Sequence, residues 1–207
     1  MIADGPPANR PPHIVLELLS VLLSRSLKSV ALGCAVLLAG CDRESGGSAQ
    51  PQASSAAPLK AGAIDRSRKG SQMPDFQFKD PAGKVLNLAS LKGKPVLINL
   101  WATWCAPCVA ELPQLNQLAA DNPRIKVLTV NQDMDKLEKV APFLAQKGGK
   151  NLEPWLNPDN SLAFQFEAGT LPTTVYYDAE GREVWRVLGE RTWTGEDTKA
   201  LLAEAKP

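Results

Sequence analysis

The reading of this chain turns on residues 96–108, Val96-Leu97-Ile98-Asn99-Leu100-Trp101-Ala102-Thr103-Trp104-Cys105-Ala106-Pro107-Cys108. Val96 to Leu100 is a nearly continuous apolar run of strand length, the pattern of a central strand covered on both faces. A helix fits Ala106 to Ala120, so the two cysteines fall at a strand-to-helix junction. Cys105 is then near the N-cap and Cys108 one turn in. A thiolate on Cys105 faces free backbone N–H groups and the positive end of the helix dipole. Both favour the anion and lower the thiol pKa from about 8.5 toward the range of roughly 3.5–7.5 known at such positions. Pro107 lies in the first turn, where a missing N–H costs little, and its ring stiffens the loop. Cys105 is therefore expected to be exposed and nucleophilic, and Cys108 more buried. Cys105 would attack a disulfide and Cys108 would resolve the mixed disulfide.

Outward from this junction the texture is that of a layered α/β domain. Phe76, Phe78, Val85, Leu86 and Leu88 suggest short strands around an Asp80-Pro81-Ala82-Gly83 turn. Arg124 to Val130 reads as a second core strand, Met134 to Gln146 as a helix, and Asn160 to Phe166 as a helical turn or two. Thr173 to Tyr177 and Glu183 to Leu188 read as strands joined by the Asp178-Ala179-Glu180-Gly181 turn, and Glu196 to Ala205 as a closing helix. The order predicts a mixed sheet with helices on both faces and an N-terminal strand or hairpin extension.

The chain has 207 residues, 44% apolar and 22% charged, which fits a globular domain with some fifty residues to spare and excludes collagen-like, fully disordered and polytopic membrane classes. Lys and Arg number 23 and Asp and Glu 22, so no basic face is indicated and no nucleic-acid partner is expected. Four cysteines are too few for a disulfide scaffold of this length.

The extra residues lie at the N-terminus. Arg25 and Lys28 precede an uncharged stretch from Ser29, rich in Val, Ala and Leu, that suits the apolar core of a signal peptide and is too short for a membrane span. It ends in Leu38-Ala39-Gly40-Cys41, which resembles the bacterial lipoprotein lipobox. The resemblance implies that residues 1–40 are removed and that Cys41 is lipidated and becomes the N-terminus. The leader holds three bases and two acids, so of the 23 and 22 in the chain 20 of each remain after cleavage. His13 and Cys34 go with it. Residues 41–71, rich in Ser, Gly, Ala, Gln and Pro, read as the lipid attachment site and a flexible tether. Residues 72–207 read as the folded domain.

The run from Val96 to Cys108, followed by Glu111-Leu112-Pro113, resembles the TlpA/ResA type of the thioredoxin-like family. The resemblance covers about Gln72 to Ala205 and includes Asp80-Pro81-Ala82-Gly83-Lys84, Leu91-Lys92-Gly93-Lys94-Pro95 and Gly169-Thr170-Leu171-Pro172-Thr173-Thr174. It implies a thioredoxin-like fold and an extracytoplasmic, membrane-anchored thiol–disulfide oxidoreductase at the periplasmic face of the inner membrane. Its partners would be protein thiols and disulfides and a membrane electron donor, with the protein a monomer needing no cofactor. It also implies a redox-active Cys105–Cys108 disulfide and makes Pro172 the family's cis-proline, holding the Leu171 backbone open for a substrate. Glu111 matches an acid that tunes the dithiol and relays a proton. Trp104, Ala106, Pro107 and Leu171 are the expected substrate contacts, with Trp101 either in the same apolar rim or in the core. Asn99 departs from the buried Asp of thioredoxin itself, so proton handling passes to Glu111 or water. Thr173 departs from the Pro-Glu of the cytochrome-c-maturation subgroup, which argues against a dedicated haem-pathway role and leaves apocytochrome c as one candidate client among other periplasmic thiol proteins.

Other readings stay open on residues alone. A zinc site needs about four ligands, and beyond residue 40 the chain offers no His and no cysteine besides Cys41 and the pair, so no metal is assigned. A copper-binding assembly chaperone on this fold, with Met134 or Met73 assisting the dithiol, and a peroxiredoxin-like peroxidase with Thr103 near the pair are the alternative functions. Potentials in this fold span about −270 to −120 mV, so direction is not readable from Ala106-Pro107; the resemblance implies a reductant.

Overall fold

The computed structural model describes residues 60–205. The signal segment 1–40, Cys41 and the tether up to residue 59 lie outside the described residues. Val96–Trp101 (β4) is buried at every position, as an apolar run without alternation requires. Its side chains divide between two cores. Leu97 and Trp101 face one, with Leu112, Leu115, Val140, Leu144 and Leu201. Ile98 and Leu100 face the other, with Phe78, Leu88, Leu162 and Phe166.

The elements run in chain order as Ile64–Asp65 (β1), Gln77–Lys79 (β2), Val85–Asn87 (β3), a 3-10 turn at Leu88–Leu91, β4, Ala106–Asp121 (α1) and Lys126–Asn131 (β5). Then come Val140–Gln146 (α2), Pro154–Leu156 (β6), Ser161–Gln165 (α3), Thr173–Tyr177 (β7), Glu183–Leu188 (β8) and Glu196–Leu202 (α4). The strands form one sheet in the order β1-β8-β7-β4-β5-β6-β2-β3. β4 pairs parallel to β5, and β5 to β6, whereas β7 lies antiparallel on the other side of β4. This is the thioredoxin-like mixed sheet that the sequence predicts. The expected extension is the β2–β3 hairpin. Its turn is closed by Asp80, whose carboxylate accepts the N–H groups of Ala82 and Lys84, and by Gly83 at a φ of 85°.

Four features differ from the sequence reading. Residues 60–71, assigned to the tether by composition, run along β8 instead. Gly62 donates to Leu188, Ile64 and Asp65 pair with Val187 and Arg186, and Gly70 and Ser71 bond to Glu183. The backbone alone makes these contacts, so side-chain composition gives no sign of them. The helix expected from Met134 is only a 3-10 turn at Leu137–Lys139 followed by α2. Pro142 lacks an N–H and is tolerated only in a first turn, which fixes the helix start near Val140. β6 was not foreseen: three residues beginning with a proline are too short to show an alternation. The last helix ends at Leu202 rather than Ala205.

Candidate active site

The end of β4 delivers the backbone to α1 through Ala102-Thr103-Trp104. That loop is held by Asp133, beyond the end of β5, whose Oδ1 accepts the Thr103 N–H at 3.1 Å. Asn131 orients the same carboxylate, its Nδ2 donating to Asp133 Oδ2 at 3.2 Å and its Oδ1 accepting the Asp133 N–H at 2.9 Å. Cys105 is the N-cap of α1, with extended backbone angles, and its sulfur accepts the N–H of Cys108 at 3.3 Å. Pro107 falls in the first turn, as expected. Along α1 the buried positions are Cys108, Glu111, Leu112, Leu115 and Leu118, one face at helical spacing. Glu111 therefore sits on the core face, one turn beyond Cys108.

Cys105 and Cys108 are joined in a disulfide with Cα atoms 5.3 Å apart. Their accessibilities, 5% and 1%, correct the expectation that Cys105 is exposed. In the oxidised state its sulfur is turned onto Cys108 and packs in the core with Trp101 and Ala102. Trp101 belongs to that core and not to a rim: it is wholly buried and stacks on Phe143. Trp104 is the exposed neighbour of the disulfide, at 72%. Ala106 is exposed and Pro107 and Leu171 half-buried. The Leu171–Pro172 peptide is cis, and the Pro172 carbonyl accepts the N–H of Gly189.

Glu111 is almost fully buried, on the core face of α1. Its Oε1 accepts the Arg191 N–H at 2.7 Å, and its Oε2 lies 3.4 Å from the Nδ2 of Asn99. Asn99 Nδ2 also donates to Thr174 Oγ1 at 3.0 Å. Burial pushes the Glu111 pKa up to about 7, against the opposing pull of the Arg191 N–H, Trp193 and Asn99, with the Glu190 carboxylate adding to the rise. A carboxyl in that range exchanges a proton near neutrality, which an ordinary glutamate does not. The Asn99–Thr174 contact and the loop carrying Arg191 and Trp193 were not read from sequence. In the sequence Asn99 stands out only as a departure from Asp, and nothing local marks residues 190–193 as neighbours of α1.

Trp104 and Leu171 also line a groove of about 580 Å³ whose other walls include Gln132, Ala163, Phe164 and Ala168. Ala106 and Pro107 do not line it. Met134, offered as a copper ligand, is exposed in a separate groove with Asp133, Asp135 and Lys136, while Met73 packs against the core that includes Phe78. Neither stands in the core cluster that holds the cysteine pair.

Comparison with known proteins agrees with this geometry. The Redoxin family model matches residues 68–202. The thiol-disulfide oxidoreductase ResA of Geobacillus thermodenitrificans is 34% identical over 140 residues, 67% of this chain and 78% of that one. The thiol:disulfide interchange protein DsbE of Vibrio cholerae is 33% identical over 147 residues, 66% of this chain and 77% of that one. Among solved structures, the exposed lipoprotein thioredoxin Etrx1 of Streptococcus pneumoniae superposes with a TM-score of 0.51 at 30% identity, covering 63% of this chain and 98% of that one.

Proposed function

The chain belongs to the redoxin family and is a thiol–disulfide oxidoreductase, and from that premise we propose that it reduces protein disulfides at the extracytoplasmic face of a membrane to which Cys41 anchors it. The observation that carries the direction of attack is the position of Cys105: it caps α1, and its sulfur already accepts a helix N–H. When the pair is reduced, that N–H and the helix dipole hold the Cys105 thiolate.

The exchange proceeds in two displacements. The Cys105 thiolate attacks one sulfur of a client disulfide. A Cys105–client bond forms, and the other client sulfur leaves as a thiolate and takes up a proton. Cys108 then loses its proton and attacks the Cys105 sulfur. The Cys105–Cys108 bond forms and the second client sulfur departs, protonated in turn. Two electrons and two protons have passed to the client. Glu111, one turn from Cys108 and buried with a raised pKa, is the group to accept the Cys108 proton. A dithiol donor at the membrane runs the same steps in reverse to recharge the pair. Pro172 carries no N–H and leaves the Leu171 main chain open to the client, while Trp104, Ala106 and Pro107 contact it.

The leader 1–40, the lipidated Cys41 and the tether place the domain outside the cytoplasm. The lipobox-like Leu38-Ala39-Gly40-Cys41 supports this, as does the description of the Streptococcus pneumoniae relative as a lipoprotein. The protein acts as a monomer. Among the described residues no helix is long and apolar enough to cross a membrane.

Cys108→Ser tests the reading. Wild-type protein with dithiothreitol should speed insulin reduction, and the variant should accumulate client proteins disulfide-bonded through Cys105. A variant that traps nothing, beside a wild type that does not reduce insulin, would refute it. Metabolic labelling with palmitate should mark the wild type and not Cys41→Ser.

A further inference from the structure

Four large hydrophobic side chains stand exposed among the described residues: Val85, Trp104, Met134 and Phe164. Two of them, Trp104 at 72% and Phe164 at 87%, line the same groove. Phe164 is the exposed apolar residue of α3, a five-residue helix, and its neighbours Leu162 and Phe166 are buried in the core. The fold thus has no packing use for it. The groove is continuous with the exchange site: Trp104 precedes Cys105 in the chain, and Leu171 precedes Pro172. Its lining holds a single ionisable residue, Glu167, and that carboxylate is already paired with Arg68. No free charge is left to select a charged ligand. One buried polar side chain contributes to the wall. Gln132, 3% exposed, donates its amide N–H to the Val130 carbonyl and leaves its own oxygen without a partner.

Resting on the exchange reading above, we propose that Phe164, on the wall of this groove, determines specificity by accepting a bulky apolar side chain of the client beside the target cysteine. The client enters with its sulfur at Cys105 and runs past Trp104 and Leu171 toward α3. Trp104 and Phe164 cover the apolar residue from both ends of the groove, removing from water an exposed patch that a monomer otherwise leaves wet. Phe164 touches no sulfur, so its contribution is to client affinity and not to the exchange step.

The test uses the reduced full chain and three substrates. Two are disulfide-bonded peptides that differ in having Leu or Ser beside the cysteine. The third is hydroxyethyl disulfide, too small to reach α3. The wild type should prefer the Leu peptide by about tenfold or more in kcat/KM, mostly through KM, an effect of the size expected for one buried apolar contact. Phe164→Ala should abolish the preference and Phe164→Leu should retain most of it, while hydroxyethyl disulfide reacts equally with all three proteins. An unchanged preference in Phe164→Ala overturns the proposal. So does a dimer, seen by sedimentation, that dissociates on Phe164→Ala with no change in peptide preference, since the patch then serves a second copy. A wild type inert even to hydroxyethyl disulfide overturns the exchange reading itself, and this proposal with it.

Discussion

The backbone N–H of Arg191 donates to Glu111 Oε1 at 2.7 Å, which ties the loop between β8 and α4 to the helix that carries the two cysteines. This is one of the few polar contacts available to a carboxyl that is 1% exposed.

Its energetic consequence depends on pH. The folded protein holds the Glu111 pKa at about 7, above its ordinary value, because burial disfavours the charged form. The stability contributed by the protonated acid is complete below the unfolded pKa, near 4.5, and is lost as pH rises through 7. The full loss is about 3 kcal/mol. Glu111→Gln removes this titration. In urea denaturation of the oxidised protein, the variant should exceed the wild type at pH 8 by about 2–3 kcal/mol and should nearly match it at pH 4.5. Parallel pH profiles for the two proteins would contradict the assignment.

A second buried charge is fully paired. Arg186 on β8 donates through Nε and Nη2 to the Glu183 carboxylate, each at 2.6 Å, and through Nη1 to the Phe166 carbonyl at 2.6 Å. Arg186→Met strands the Glu183 carboxylate and the carbonyl beyond the end of α3, and should cost about 3–5 kcal/mol. The double variant with Glu183→Leu should recover most of the loss. Denaturation midpoints of the four proteins give the coupling directly.

Asp133 fixes the approach to Cys105 through the Thr103 N–H. Asp133→Ala leaves that N–H without its acceptor and should lower stability by about 1–3 kcal/mol. Asp133→Asn keeps an oxygen for Thr103 and should recover part of it. If the loop serves the chemistry, the rate of hydroxyethyl disulfide reduction should follow the same order, wild type above Asn above Ala.

The cysteines should differ once reduced. At pH 6, iodoacetamide should modify Cys105 at least about tenfold faster than Cys108, since only the thiolate reacts and only Cys105 faces the helix start. Peptide mass spectrometry of protein quenched at short times reads the order. Equal labelling would remove the basis for assigning the attacking role to Cys105.

Where the sequence was legible, the signal was dense and local. The unbroken run from Val96 to Leu100 specified a central strand, and Cys105-Ala106-Pro107-Cys108 specified a helix start, because each depends on adjacent residues. The cis bond at Leu171–Pro172 was reached by resemblance and not by physics. What escaped depends on contacts distant in sequence. Glu111 meets Arg191 80 positions away, and Asp133 meets Thr103 30 away. Pairing of residues 62–72 with β8 uses main-chain groups that every residue type supplies. The burial of Cys105 reflects the oxidised state, whereas the expectation of exposure came from its role as a reduced nucleophile. Phe164 carried no sequence signal, because a lone phenylalanine in a helical turn ordinarily packs inward.

The course of residues 62–72 along β8 has a colloidal consequence. Without them, a six-residue strand would present its open hydrogen-bonding edge to solvent. With Gly62, Ile64–Asp65, Gly70 and Ser71 in place, that side is occupied from Leu188 to Glu183. The opposite border is β3, only three residues long. A foreign strand therefore finds too few vacant rungs at either margin to extend the sheet, and crowding many copies together does not by itself seed edge-to-edge growth.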